Sequence, residues 1–198
     1  MKSFPLLFCL LLLFSIPVRG QDDAQWRPVS HRPALAPQSS SDASVTYSGP
    51  PALSLSGNGN PSADGCWTRS TTVEPETYYR FRTHFKSEKI DDLSRSVLAR
   101  LLWLDAKGNI ITPAEYPATL RGEDPRGWQP IEQTYLSPKG AAKVRLELVF
   151  RWDADGKVWF EPAAFEKAGA PKPRPARLAT VKHRPPTGNT TEKNLAEF

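Results

Sequence analysis

From Thr77 to Phe85 the chain alternates apolar and polar side chains with a period of two. Tyr79, Phe81 and Phe85 fall on one side of an extended backbone, and Tyr78, Arg80, Arg82 and His84 on the other. This predicts a β-strand with one face in a core and one in water. The pattern returns from Lys143 to Trp152, where Val144, Leu146, Leu148, Phe150 and Trp152 alternate with Arg145, Glu147, Val149 and Arg151. It returns again from Lys157 to Glu166, with Val158 and Phe160 expected inward and Trp159 and Glu161 outward; Pro162 marks a strand end or an edge.

Shorter runs complete the set. Trp26 to Ser30 reads as a short extended piece, Ala52 to Ser56 as a strand closed by the turn residues Gly57 to Pro61, and Cys66 to Val73 as another. Val97 to Leu104 is leucine-rich and fits a helix as well. Strand is preferred because Asp105 to Asn109 supplies a hairpin loop with Gly108 free to take positive φ, after which Ile110 and Ile111 resume an extended pattern. Trp128 to Leu136 is a further strand. Before it, Ala114 to Gly127 forms a long irregular loop of the kind that often binds. About seven to nine short antiparallel strands with turn signals between them predict an all-β fold, an antiparallel jelly-roll β-sandwich. At about 1.5 to 3 kcal/mol per well-buried large apolar side chain, the inward sets suffice for an independent domain.

The ends have a different character. Lys2, the apolar run Phe4 to Pro17, and Val18-Arg19-Gly20 read as a signal peptide over residues 1–20, which predicts a secreted or periplasmic protein. The run is shorter than the roughly 20 apolar residues a membrane span needs, so no membrane association is expected after cleavage. Cleavage would take Cys9 and leave Cys66 without a partner in the chain, a small buried hydrophobe. Residues 21–44 are rich in Pro, Ser and Ala, residues 45–167 hold the sandwich, and residues 168–176 alternate Pro as a semi-rigid linker. Beyond it, Arg177 to Lys182 is a short apolar strand, and Asn189-Thr-Thr-Glu192 is a capping pattern for a helix containing Leu195 and Phe198. Strand, loop and helix are how an α/β domain begins, so the expectation is a longer parent.

Charge excludes one class of partner. The chain carries 26 Lys and Arg against 21 Asp and Glu. Lys2 and Arg19 lie in the signal, and Lys172, Arg174, Arg177, Lys182 and Arg184 crowd near the end, leaving 19 basic residues. The domain itself is slightly acidic, and no nucleic-acid partner is expected.

The outward set Tyr78, Arg80, Arg82, His84, Arg145, Glu147, Arg151, Trp159 and Glu161 would form a single polar face if the long strands pair. An aromatic platform for the C–H face of a sugar, with charged groups for its hydroxyls, makes these nine the candidate carbohydrate-binding residues. The competing reading is a solvated face whose opposite charges pair across strands for about 0.2 to 1 kcal/mol each. His84 with Glu147 or Glu161 is too isolated for a catalytic or metal set. Asp153-Ala-Asp-Gly156 lacks the downstream ligands of a calcium loop and reads as a hairpin turn. Asn189-Thr-Thr191 fits a glycosylation sequon, with the helix cap as the simpler account.

Five stretches carry a resemblance: Leu53-Ser-Leu-Ser-Gly-Asn-Gly59 before Trp67, Val73-Glu-Pro-Glu-Thr-Tyr-Tyr-Arg-Phe81, Trp103-Leu-Asp-Ala-Lys-Gly108, Ser137-Pro-Lys-Gly-Ala141 and Gly156-Lys-Val-Trp-Phe160. In this order they resemble the galactose-binding-like jelly rolls of carbohydrate-binding modules, which implies a polysaccharide or glycoconjugate ligand. Such modules often hold a structural calcium ion through a Phe-Asp-Asp step. Here Phe160 is followed by Glu161-Pro162, so no cofactor is expected. Residues 177–198 resemble the opening strand and helix of the nitrilase, or carbon-nitrogen hydrolase, superfamily. That implies a downstream hydrolase domain acting on amides or nitriles, whose Glu, Lys and Cys would lie past Phe198. No catalytic residue is carried over onto this chain. The alternative is a structural or protein-docking sandwich without a sugar ligand.

Overall fold

The structure, a computed structural model, describes residues 25–173 and 190–192. The expected signal peptide and all but three residues of the expected strand and helix at 177–198 lie outside the described residues. The described part is an antiparallel β-sandwich. Its strands are β1 (Arg27–Val29), β2 (Gln38–Asp42), β3 (Ala52–Ser56), β4 (Asp64–Thr72), β5 (Tyr78–Glu88), β6 (Val97–Leu104), β7 (Gln129–Leu136), β8 (Lys143–Arg151), β9 (Lys157–Phe160) and β10 (Ala164–Lys167). A one-turn helix, Leu93–Ser96, precedes β6 and is capped by Asp92, whose Oδ1 accepts from Arg95 N at 3.2 Å.

The first sheet runs β1-β4-β8-β6, and the second runs β10-β5-β9-β3-β2 with β7 also paired to β5. The inward alternates meet between them: Phe81, Phe85, Phe160 and Leu55 of the second sheet face Leu101, Trp103, Val144, Leu146, Leu148 and Phe150 of the first. All ten are at most 1% exposed, which is why the alternation was so regular in the sequence. Tyr79 is also inward, stacked on Phe165 with centroids 5.0 Å apart, and its hydroxyl accepts from Glu74 N at 2.9 Å. Leucine-rich 97–104 is a strand, as its following hairpin loop predicts, with Asp105 Oδ1 accepting from Lys107 N and Asn109 N.

Several expectations change. The Pro/Ser-rich segment before residue 45 supplies an edge strand to each sheet, since β1 pairs with β4 and β2 with β3. Residues 105–128, the hairpin loop, the extended pair and the long loop, are tied to both sheets. They bridge to β6 through Leu104–Ile110 and Leu101–Glu115 and then to β7 through Thr119–Ile131, strapping one open side of the sandwich. Trp152 does not continue the inward series of β8. Its φ is +57° and its side chain is 43% exposed, because the chain turns into the hairpin directly after Arg151. Asp153 anchors that hairpin, its carboxylate accepting from Gly156 N at 2.7 Å and Asp91 N at 3.0 Å. Among the described residues no group of three or more His, Cys, Asp or Glu is placed to hold a metal ion.

Candidate functional site

The nine candidate residues do not share one face. β5 and β9 belong to the second sheet and β8 to the first, so the two outward sets lie on opposite sides of the sandwich. Tyr78, Arg80, Arg82, His84, Trp159 and Glu161 are on the second sheet's side; Arg145, Glu147 and Arg151 are on the first sheet's.

On the second sheet the chain covers its own outer face. The connection between β2 and β3 brings Tyr47 onto His84, rings stacked at 3.7 Å and 19°, and against the edge of Trp128 at 5.6 Å. Arg126 lies 4.7 Å over the Tyr47 ring and donates to the Tyr47 carbonyl at 3.0 Å. His84 Nδ1 is 2.7 Å from Glu161 Oε2, and the Ser48 hydroxyl donates to the other oxygen of that carboxylate. Trp159, expected to be a platform, is 6% exposed and packs with Ala52 and Trp128 in a second hydrophobic cluster. Its indole N–H donates to Asp42 Oδ2 at 3.0 Å, and Lys157 Nζ lies 4.3 Å over its ring. Hydrogen bonds from the Ser44 hydroxyl and then from this indole hold the Asp42 carboxyl below the usual range. The remaining charges pair across strands: Arg80 with Glu166 at 2.5 Å, while Arg82 stands opposite Glu132. On this face the candidate side chains pair with one another and with the β2–β3 connection.

The first sheet's outer face has a floor of buried side chains, Cys66, Thr68, Glu147 and Val149 each at most 8% exposed, with charged residues around them. Register places Arg27, Thr68, Glu147 and Arg100 side by side across its four strands. The Glu147 side chain is only 8% exposed although it points outward, because arginines close over it. Arg100 reaches one carboxylate oxygen with Nη2 at 2.5 Å and Nε at 2.6 Å. Arg145 Nε stands 3.1 Å from the other oxygen, an ion contact whose angle does not make a directed hydrogen bond. Burial works to lower the Arg100 pKa, but the Glu147 charge and the hydrogen bond Arg100 donates to Glu147 hold it above its ordinary value. Cys66 lines a pocket of about 50 Å³ next to this pair. Its thiol is free and buried, and burial, with Glu147 adding to it, pushes its pKa up to about 12.

Two aromatic side chains flank this charged floor. Tyr116, 58% exposed, lies near Arg100 at the β6 edge, next to the bridge from Glu115. Trp152, at the end of β8, has the Arg151 guanidinium 4.1 Å over its ring. One backbone bond and two from arginine side chains fix the strand end: Trp152 N donates to Ala63 O at 2.7 Å, Arg95 Nη2 to Trp152 O at 3.2 Å, and Arg151 Nε to Arg95 O at 3.0 Å. A bulky residue at positive φ stores about 1 to 3 kcal/mol of strain, and such strain concentrates at ligand contacts.

Arg100, Tyr116 and Trp152 were outside the nine. Arg100 carried a signal, standing outward among leucines, and Tyr116 lay in the loop singled out for its length. Trp152 carried none, since strict alternation turned it inward.

Neither a family model nor a curated protein matches the chain. Solved structures match its fold. The enzymatically active domain of bacteriophage CBA120 tailspike protein 4 aligns with TM-score 0.56 and 14% identity, over 73% of this chain and 19% of that one. The CBM22-1 and GH10 modules of Clostridium thermocellum xylanase 10B, complexed with xylohexaose, align with TM-score 0.52 and 13% identity, over 79% of this chain and 28% of that one. A xylan-binding domain of family CBM22 aligns at TM-score 0.49 and 18% identity, over 74% of this chain and 88% of that one. The chain thus spans well under a third of the first two, and at these identities the likeness is one of fold.

Proposed function

We propose that this protein binds a polysaccharide on the outer face of its first sheet, with Trp152 and Tyr116 as stacking platforms and Arg100, Arg145 and Arg151 as hydrogen-bond donors. The observation that carries this reading is Trp152, a large aromatic side chain held 43% exposed at a backbone angle of +57° beside a row of charged groups. Burial gains nothing from an indole placed there, whereas a sugar ring gains a flat apolar surface. The fold likeness to a xylanase crystallised with xylohexaose supports the same class of ligand. The role is binding without chemistry: Glu147 stands between two arginines as their ion-pair partner.

The reading extends to context. Residues 1–20 support export, and the resemblance of residues 177–198 to a carbon-nitrogen hydrolase supports a longer parent in which this sandwich holds the enzyme on its polymer. Coding sequence past Phe198 tests the latter, and absence there of a Glu, Lys and Cys set in an α/β pattern removes it.

For the binding site, Trp152→Gly is the sharpest test. Glycine takes φ of +57° without strain, so the melting temperature is expected to hold or rise, while affinity for the bound polysaccharide falls at least about tenfold. Retardation in polysaccharide-loaded native gels reads the affinity. Unchanged retardation of Trp152→Gly and of Tyr116→Ala refutes the site.

A further inference from the structure

We infer that the polymer recognised here is acidic, a chain built from uronic acid units; this rests on the reading that the first sheet's outer face is the binding surface. The outward positions of the four strands carry five cations, Arg27, Arg100, Lys143, Arg145 and Arg151, against two carboxylates, Asp64 and Glu147. Glu147 projects little field, being 8% exposed and in contact with both Arg100 and Arg145. The second sheet shows that this imbalance is not a property of the whole surface. There the outward cations Arg80, Arg82, Lys86 and Lys157 face as many outward carboxylates, Asp42, Glu88, Glu132 and Glu166, with Arg80 and Glu166 in contact.

Spacing and chemistry narrow the ligand. Lys143, Arg145 and Arg151 all stand on β8, and at about 3.3 Å per residue the series runs about 26 Å, the reach of an extended polymer and not of one small anion. At the floor's centre the charged neighbours of Glu147 are Arg100 and Arg145, and an arginine's planar fork matches a planar carboxylate. Arg100 already holds a carboxylate on this face, its Nε and Nη2 both on one oxygen of Glu147. The platforms then require the carboxylates to be carried on sugar rings.

The test is affinity electrophoresis of the full chain in gels holding polygalacturonate, xylan or dextran sulfate, repeated at rising NaCl. Polygalacturonate is expected to retard the protein more than the other two, and salt to weaken retardation. Lys143→Gln leaves the Glu147 contacts intact and is expected to weaken polygalacturonate binding about threefold to tenfold with unchanged melting temperature. Arg145→Gln is expected to cost about tenfold or more. Arg82→Gln, on the opposite face, is expected to change nothing.

Equal or tighter binding to xylan overturns the acidic ligand while leaving polysaccharide binding in place. Dextran sulfate held as tightly as polygalacturonate overturns it too, since charge alone then suffices. Weakening by Arg82→Gln as large as by Lys143→Gln overturns the choice of face. No retardation by any of the three polymers removes both the inference and the reading beneath it.

Discussion

Replacing Trp159 by alanine removes an indole that is 6% exposed and that forms one wall of the cluster with Ala52 and Trp128. Truncation of a buried aromatic side chain to alanine costs about 3 to 5 kcal/mol. The lower end applies here, about 3 kcal/mol, because the cluster is small and Tyr47 and Val45, half-buried over it, can settle into part of the space. The loss of the Lys157 contact, 4.3 Å over the ring, falls within that figure. For a chain of this size each kcal/mol moves the melting temperature by about 2 to 4 °C, so the variant should melt about 6 to 12 °C lower. Circular dichroism at 218 nm is the suitable probe, since the substitution itself removes a fluorophore. Below its melting temperature, the folded variant should bind polysaccharide as the parent does, because Trp159 lies on the covered face. A variant that melts within about 2 °C of the parent and yet loses affinity would refute this assignment and return the indole to the ligand.

Other outcomes follow from single contacts. A Cβ on Gly57 would stand 1.9 Å from the Asp153 carbonyl oxygen, where the hairpin crosses β3's end, so Gly57→Ala should destabilise by about 1 to 3 kcal/mol in urea unfolding. Asp153→Ala should cost about 1 to 3 kcal/mol by stripping the acceptor from Gly156 N and Asp91 N, with faster amide exchange at both positions as the specific readout. Cys66 should resist alkylation in the native protein at pH 8 and react on unfolding, since burial pushes its pKa up to about 12. The sign for stability follows: the native thiol keeps its proton where the unfolded one, at 9.0, loses it, so this contribution is complete below pH 9 and declines as pH rises toward 12. A Cys66→Ser variant should lack that alkaline component in its pH–stability profile.

The strands were legible because burial acts on one residue at a time. Phe81, Phe85, Val144 and Phe150 sit at most 1% exposed at the positions their period of two assigns, and an all-β sandwich follows from that. Arg145, Glu147 and Arg151 were likewise recognisable as outward. Alternation, however, says only inward or outward, and not which sheet a strand joins. Pairing decided that: β8 went between β4 and β6, β9 between β5 and β3, and one imagined polar face became two surfaces turned away from each other. The covering of Trp159 depended on where the β2–β3 connection lies, a contact between residues more than 100 positions apart, as Asp42 and Trp159 are. Trp152 depended on a single backbone angle that no side-chain pattern encodes. The sequence by itself thus determined the sandwich, its inward core and the charged character of its outer strands. Which outward residues meet, and which aromatic rings are covered, arise from strand order and loop path and so became visible in the folded chain alone.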